Sequence, residues 1–183
     1  MDKIDEIARA KYSNLFGFIC ANYDKSNRGD RVTLIRAKYL TIFSDLWHEK
    51  ISGQRITSIE YYRNASEDVS VLHEPMIEYV IASAYQELGI LDILKIENGD
   101  GERLLIKARK KDYPFFNLLP EEEITARDIL ETCSTHLLDH LKSDVFQLLY
   151  ESECMDQRRQ EEALYNDKIM LDIFDKGEEA YAS

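Results

Sequence analysis

The sequence predicts an α+β fold, predominantly helical, in which helices pack around a small antiparallel sheet containing a β-hairpin and a long helix closes the chain. Three observations lead there. Seven Gly and three Pro in 183 residues leave long stretches free for helices and too little turn chemistry for a β-sandwich. Apolar residues recur at three- and four-residue steps through much of the chain. One N-G-D-G run stands between two β-favouring segments, which is a hairpin signal. With 44% hydrophobic and 32% charged residues a core can form. The length suits one domain over 1–142 and an acidic, amphipathic helical extension over 143–183.

Each element has its own reason. From Ile4 to Tyr23, the residues Ile4, Ile7, Ala8, Leu15, Phe18 and Ile19 form one helix face. Residues 24–30, DKSNRGD, read as a loop, with Asp30 a candidate N-cap. The next helix carries Leu34, Ala37, Leu40, Phe43, Leu46 and Trp47 and stops at Gly53. Arg55 to Arg63, β-branched and aromatic, predicts a short strand. Pro75 opens a third helix that ends before Gly89. Residues 90–97 and 102–108 are the two arms of the hairpin. Pro120 and Glu121 to Glu123 then start a fourth helix, its acidic first turn suited to the positive helix end, running to about Leu141. Ser143 is placed as the cap of the final helix.

Charge narrows the function classes. The net charge is -12, which disfavours nucleic acid and anionic membranes as partners. The acid is concentrated late: residues 1–63 carry +3, 64–100 carry -7, 101–119 carry +3 and 120–183 carry -11. Cys20, Cys133 and Cys154 form no disulfide framework and no C-x-x-C pair, and the N-terminal apolar run is too short for a membrane span or secretory signal. These features predict a cytoplasmic protein.

No constellation predicts catalysis. His136 and His140 share a helix face and could approach zinc with Cys133 or Asp144, but two further convergent ligands are lacking and Leu137 and Leu138 read as core. Asp45 and His48 could pair as a carboxylate and imidazole, yet no nucleophile motif accompanies them. The N-G-D-G run lacks the Lys-Ser/Thr of a phosphate loop. Arg103, Lys107, Arg109, Lys110 and Lys111 beside Tyr113, Phe115 and Phe116 offer charge and aromatics, but a basic hairpin edge is commonly a guard against sheet pairing. Neither a cofactor nor a metal is expected. Trp47, Tyr61, Tyr62 and Arg63 are the candidates for contact with a protein partner, with core membership the competing expectation for Trp47. The acidic stretch from Glu151 to Asp175 carries Leu164, Ile169, Met170, Ile173 and Phe174, which must dock on their own domain or on a second chain.

Read together, Asp45-x-x-His48-x-x-x-x-Gly53-x-x-Ile56-Thr57-x-x-x-Tyr61 resembles the signature of the Panacea-domain antitoxins, the SocA-like group that includes phage-associated proteins. The similarity extends over roughly residues 30 to 140, through Leu88-Gly89, the strand Leu104-Leu105-Ile106-Lys107 and the helix start near Glu121. Two departures stand out: the family's Gly-Pro-Val-Pro is here Glu67-Asp68-Val69-Ser70, and its Lys-Leu is Tyr39-Leu40. The resemblance implies a non-enzymatic protein that neutralises a toxin by direct binding. The alternative is a phage or mobile-element accessory protein that binds a host or defence component on the same scaffold.

Overall fold

The computed structural model describes residues 5–23, 31–63, 68–71, 74, 76–98, 101–109, 116–133 and 138–153. Among them are five helices and five strands: α1 (Glu6–Asn22), β1 (Arg31–Thr33), α2 (Leu34–Ser52), β2 (Tyr61–Arg63), β3 (Val69–Val71), α3 (Ile77–Glu87), β4 (Leu91–Asn98), β5 (Gly101–Ala108), α4 (Pro120–Cys133) and α5 (Leu138–Glu153). The helix-dominated α+β class is therefore observed, with the strands in two groups. β1, β5 and β4 form an antiparallel sheet in that order, and β2 with β3 forms a separate two-stranded ribbon.

Helix α2 is the spine. Thr33 ends β1 and caps α2, its hydroxyl accepting from the Arg36 N–H at 3.1 Å, so the strand and helix meet without a connecting loop. Leu40, Ile42 and Leu46 are buried on α2 against its neighbours. Gly53 ends the helix at φ +79°, a left-handed cap that favours glycine, and its N–H donates to the Glu49 carbonyl at 2.8 Å.

Helix α1, capped by Asp5, crosses α2 and packs on α3. Gly17 makes the close approach possible. A Cβ there would lie 2.3 Å from the Phe116 ring and 2.7 Å from that of Tyr85, so both aromatics rest directly on the helix backbone. Those two rings meet edge-on with centroids 5.8 Å apart, and the Tyr85 hydroxyl donates to the Ser13 carbonyl at 2.9 Å.

Helix α4 begins at Pro120. Its Glu122 carboxylate accepts from the Leu119 N–H at 2.8 Å, the reach-back half of a capping box. At the other end the Cys133 carbonyl accepts from Arg36 Nη2 at 2.5 Å, so α2 supplies the cap that the α4 terminus lacks. α5 lies along α2 and buries Leu141, Val145, Leu148 and Leu149.

Several expectations are corrected. Residues 31–33 form β1, paired with residues far along the chain, where the sequence, with Asp30 as candidate N-cap, suggested the start of the second helix. The strand expected over 55–63 is confined to 61–63. The fourth helix ends at Cys133 instead of Leu141, and Ser143 lies inside α5, which starts at Leu138. α5 runs through residues 142 and 143, with Leu141 and Val145 both buried in the core. The reading of residues 154–183 as a helical extension lies outside the described residues, as does Asp30.

Candidate functional site

Five of the six signature residues, Asp45, Gly53, Ile56, Thr57 and Tyr61, lie at the corner where α2 turns back toward β2. Asp45 is fully buried on α2. Its Oδ1 accepts from the Thr57 N–H at 2.9 Å, and its Oδ2 accepts from the Thr57 hydroxyl at 2.5 Å and the Tyr61 hydroxyl at 2.7 Å. Thr57 Oγ1 also accepts from the Ile59 N–H at 3.1 Å. One carboxylate thus satisfies the backbone and side chains of the segment that follows Gly53, and Ile56, also fully buried, anchors that segment in the core.

The same bonds explain the short strand. The Thr57 and Ile59 amides are taken by side-chain oxygens, the Ile59 carbonyl accepts from Arg55 Nη1 at 2.7 Å, and Ser58 has φ +58°. A backbone so committed cannot join a ladder until Tyr61.

Electrostatics follow burial. Burial raises the Asp45 carboxyl above its ordinary range, opposed by the hydrogen bonds from Thr57 and Tyr61 and by the Arg55 charge. Burial, then the neighbouring Asp45, pushes the Tyr61 hydroxyl well up, so it stays a donor. Arg55 clasps the corner from outside. Its Nε meets Glu49 at 2.7 Å, its Nη2 donates to the Ser152 hydroxyl at 2.6 Å, and Ser152 donates to the same Glu49 oxygen at 2.9 Å, tying α5 to the end of α2.

Behind Tyr61 a second polar cluster begins. The Tyr12 ring tilts against the Tyr61 ring at 6.3 Å, and the Tyr12 hydroxyl donates to Glu78 Oε1 at 2.5 Å. Burial raises the Glu78 carboxyl, opposed by the Tyr12 bond and by Lys38. Lys38 Nζ bonds Asp68 Oδ2 at 2.8 Å, and the Tyr39 hydroxyl donates to Asp68 Oδ1 at 2.8 Å while accepting from the Val69 N–H at 3.2 Å. Tyr39 and Asp68-Val69 therefore touch each other.

His48 sits one turn along α2 from Ser44 and Asp45 and faces α4, not the carboxylate. Its Nδ1 lies 3.0 Å from the Thr125 hydroxyl. Thr125 spends its own proton on the Glu121 carbonyl at 3.0 Å, so Nδ1 is the donor and the imidazole holds two helices together. Asp45 and His48 thus bond different partners and form no dyad.

The contact candidates separate. Tyr61 is 6% exposed with its hydroxyl committed, which removes it as a contact residue and makes it part of the brace. Trp47 is half-buried, stacked on Phe43 at 6.0 Å with Lys50 Nζ 5.6 Å from its ring centroid. Tyr62 and Arg63 are half-buried, and the Arg63 guanidinium lies 4.5 Å over the Phe146 ring.

Among the described residues no group of three or more His, Cys, Asp or Glu could hold a metal ion, and no helix is long and apolar enough to cross a membrane. His140 is exposed; His136 lies outside the described residues. Cys20 and Cys133 are buried, and burial pushes the Cys133 thiol up to about 11, aided by Asp144 and opposed by Arg36. The basic cluster is split as well. Arg109 is paired with Asp92 at 2.5 Å, Phe116 is buried in the core, and 110–115 lie outside the described residues. The sequence reading missed Arg55, Tyr12 and Glu78: the Tyr12–Glu78 hydrogen bond spans 66 residues and Arg55 reaches Ser152 on α5. No local spacing signals such contacts.

No protein-family model, curated protein or solved structure matches the chain.

Proposed function

We propose that the chain is a non-enzymatic, antitoxin-like protein that neutralises a toxin by direct protein–protein binding. The observation that carries this reading is the convergence of Asp45, Ile56, Thr57 and Tyr61 on one buried corner, where both Asp45 oxygens and the Thr57 and Tyr61 hydroxyls are bonded within the scaffold. A carboxylate saturated in this way is suited to holding a shape and not to moving protons on a substrate. The contact between Tyr39 and Asp68 supports a shared scaffold, since the two positions that depart from the family pattern are coupled to each other. On this reading Trp47, Tyr62 and Arg63 contribute the contact surface, and the acidic second half of the chain favours a basic partner.

Co-expression with the neighbouring open reading frame tests the proposal. Growth arrest by the neighbour alone, relieved by this chain and restored by Trp47→Ala, is the expected result. A neighbour that is harmless when expressed alone, or relief without a complex between the two purified proteins, would overturn it.

A further inference from the structure

From Arg36 to His48 every residue of α2 is buried except Phe43 and Trp47. Their rings stack at 6.0 Å, and one turn further along the same stripe Ile51 is 59% exposed. On one side of Trp47, His48 bonds Thr125 of α4; on the other, Lys50 meets Glu151 of α5 at 3.0 Å. The three apolar side chains therefore line the floor of a slot between α4 and α5. Its rim is acidic. Asp128 is exposed one turn beyond Thr125, and Asp144, exposed two turns before Glu151 on the same face of α5, is close enough to act on the Cys133 thiol at the end of α4. The neighbouring cations are engaged: Lys50 with Glu151, Arg127 with Glu123 at 2.7 Å and over the Phe18 ring, and Lys142 over the Tyr39 ring.

We propose that the slot over Phe43, Trp47 and Ile51 receives a basic amphipathic helix of a protein partner, with its apolar stripe on the aromatic floor and its Lys and Arg side chains against Asp128 and Asp144. The inference rests on the reading of Trp47 as a contact residue and names the chemistry of what it contacts. Length fits, since Phe43 to Ile51 spans about 12 Å at 1.5 Å per residue, a little over two helical turns of the partner. Charge fits as well. A cationic segment gains attraction from a rim whose acids outnumber the cations left to balance them, and a stacked Trp–Phe pair is the kind of surface on which binding energy concentrates. A second copy of the chain is the poorer occupant, because it would set two acidic rims against each other in a molecule of net charge -12. Nucleic acid is poorer still, for the same sign of charge.

Trp47 is the only tryptophan of the chain, so its fluorescence reads the slot directly. The probe is a synthetic amphipathic peptide of Leu and Lys, about fifteen residues long so that it can form a helix, with a Leu and Glu peptide of the same pattern as its counterpart. The expected result on the full chain is a saturable blue shift of Trp47 emission with the Lys peptide and none with the Glu peptide. Asp128→Lys with Asp144→Lys weakens binding at least about tenfold, whereas the same charge change on the hairpin, Glu97→Lys with Glu102→Lys, leaves it within about threefold. Emission that the Lys peptide does not move overturns the proposal, as does equal binding of the two peptides or equal weakening by the two reversals. A shift that rises with protein concentration alone also overturns it, by assigning the slot to a second copy. If the rim variant fails to fold, Ile51→Lys is read in its place, with the same weakening expected. The growth assay separates this inference from the reading beneath it. Relief of toxicity that the rim reversal leaves intact overturns the slot and spares the antitoxin reading, whereas a harmless neighbour overturns that reading and leaves the peptide result to decide the slot.

Discussion

The corner around Asp45 and the hairpin of β4 and β5 both contain oppositely polarised side chains within 3 Å of each other, yet they hold the fold in different ways. At the corner the carboxylate has lost its water entirely and depends on three protein donors. On the hairpin, Lys95 and Glu102 meet at 2.9 Å with half or more of each side chain in solvent. Water and salt stand ready to replace either hairpin partner, whereas nothing can replace a donor at the corner. The difference teaches that hydrogen-bond distance says little about stabilisation until burial is known.

Breaking the corner should have the largest effect. Asp45→Ala leaves three buried donors without an acceptor and is expected to cost about 3–5 kcal/mol in urea denaturation. Gly17→Ala forces the Phe116 and Tyr85 rings off α1 and is expected to cost about 1–3 kcal/mol by the same measurement. Tyr61→Phe removes one of the three donors and keeps the ring, so about 1–2 kcal/mol is expected.

The pH dependence sharpens the contrast. Asp45 and Glu78 have folded-state carboxyls raised above their unfolded range, so the native state holds these protons more tightly. Their contribution is complete below about pH 4, where the unfolded carboxyls are also protonated. It is lost as pH rises through the raised folded values. The destabilisation caused by Asp45→Asn should therefore be smaller at pH 7 than at pH 4. Paired urea titrations at the two pH values check this, and a penalty that grows with pH would contradict it. At the small end of the scale, Lys95→Ala should leave the thermal midpoint unchanged, as scanning calorimetry would show.

Legibility from sequence followed the range of the interactions. The stop at Gly53 was readable because a left-handed cap is a property of one residue, and the Pro120 helix start because proline and three acids lie in one turn. The hairpin was readable too, although the pairing of Asn98 with Gly101 makes 99–100 the connection, one residue beyond the Asn-Gly pair expected to form it. β1 was missed because a three-residue strand has no pattern of its own and exists only by pairing with β5. β2 is shorter than strand propensity over 55–63 suggests because Asp45 intercepts the amide of Thr57, a contact across twelve residues that propensity does not register. At the candidate site the signature spacing brought Asp45, Thr57 and Tyr61 into view, while the separation of His48 from Asp45 needed the position of α4.

Asp45 and Tyr61 act as one brace, and a double-mutant cycle with Asp45→Asn and Tyr61→Phe measures their coupling. If the brace is real, the two substitutions in urea denaturation are coupled by about 1 kcal/mol or more, because the second removes a partner the first has already lost. Additivity within about 0.3 kcal/mol would show that the two residues stabilise the fold independently and would contradict the account.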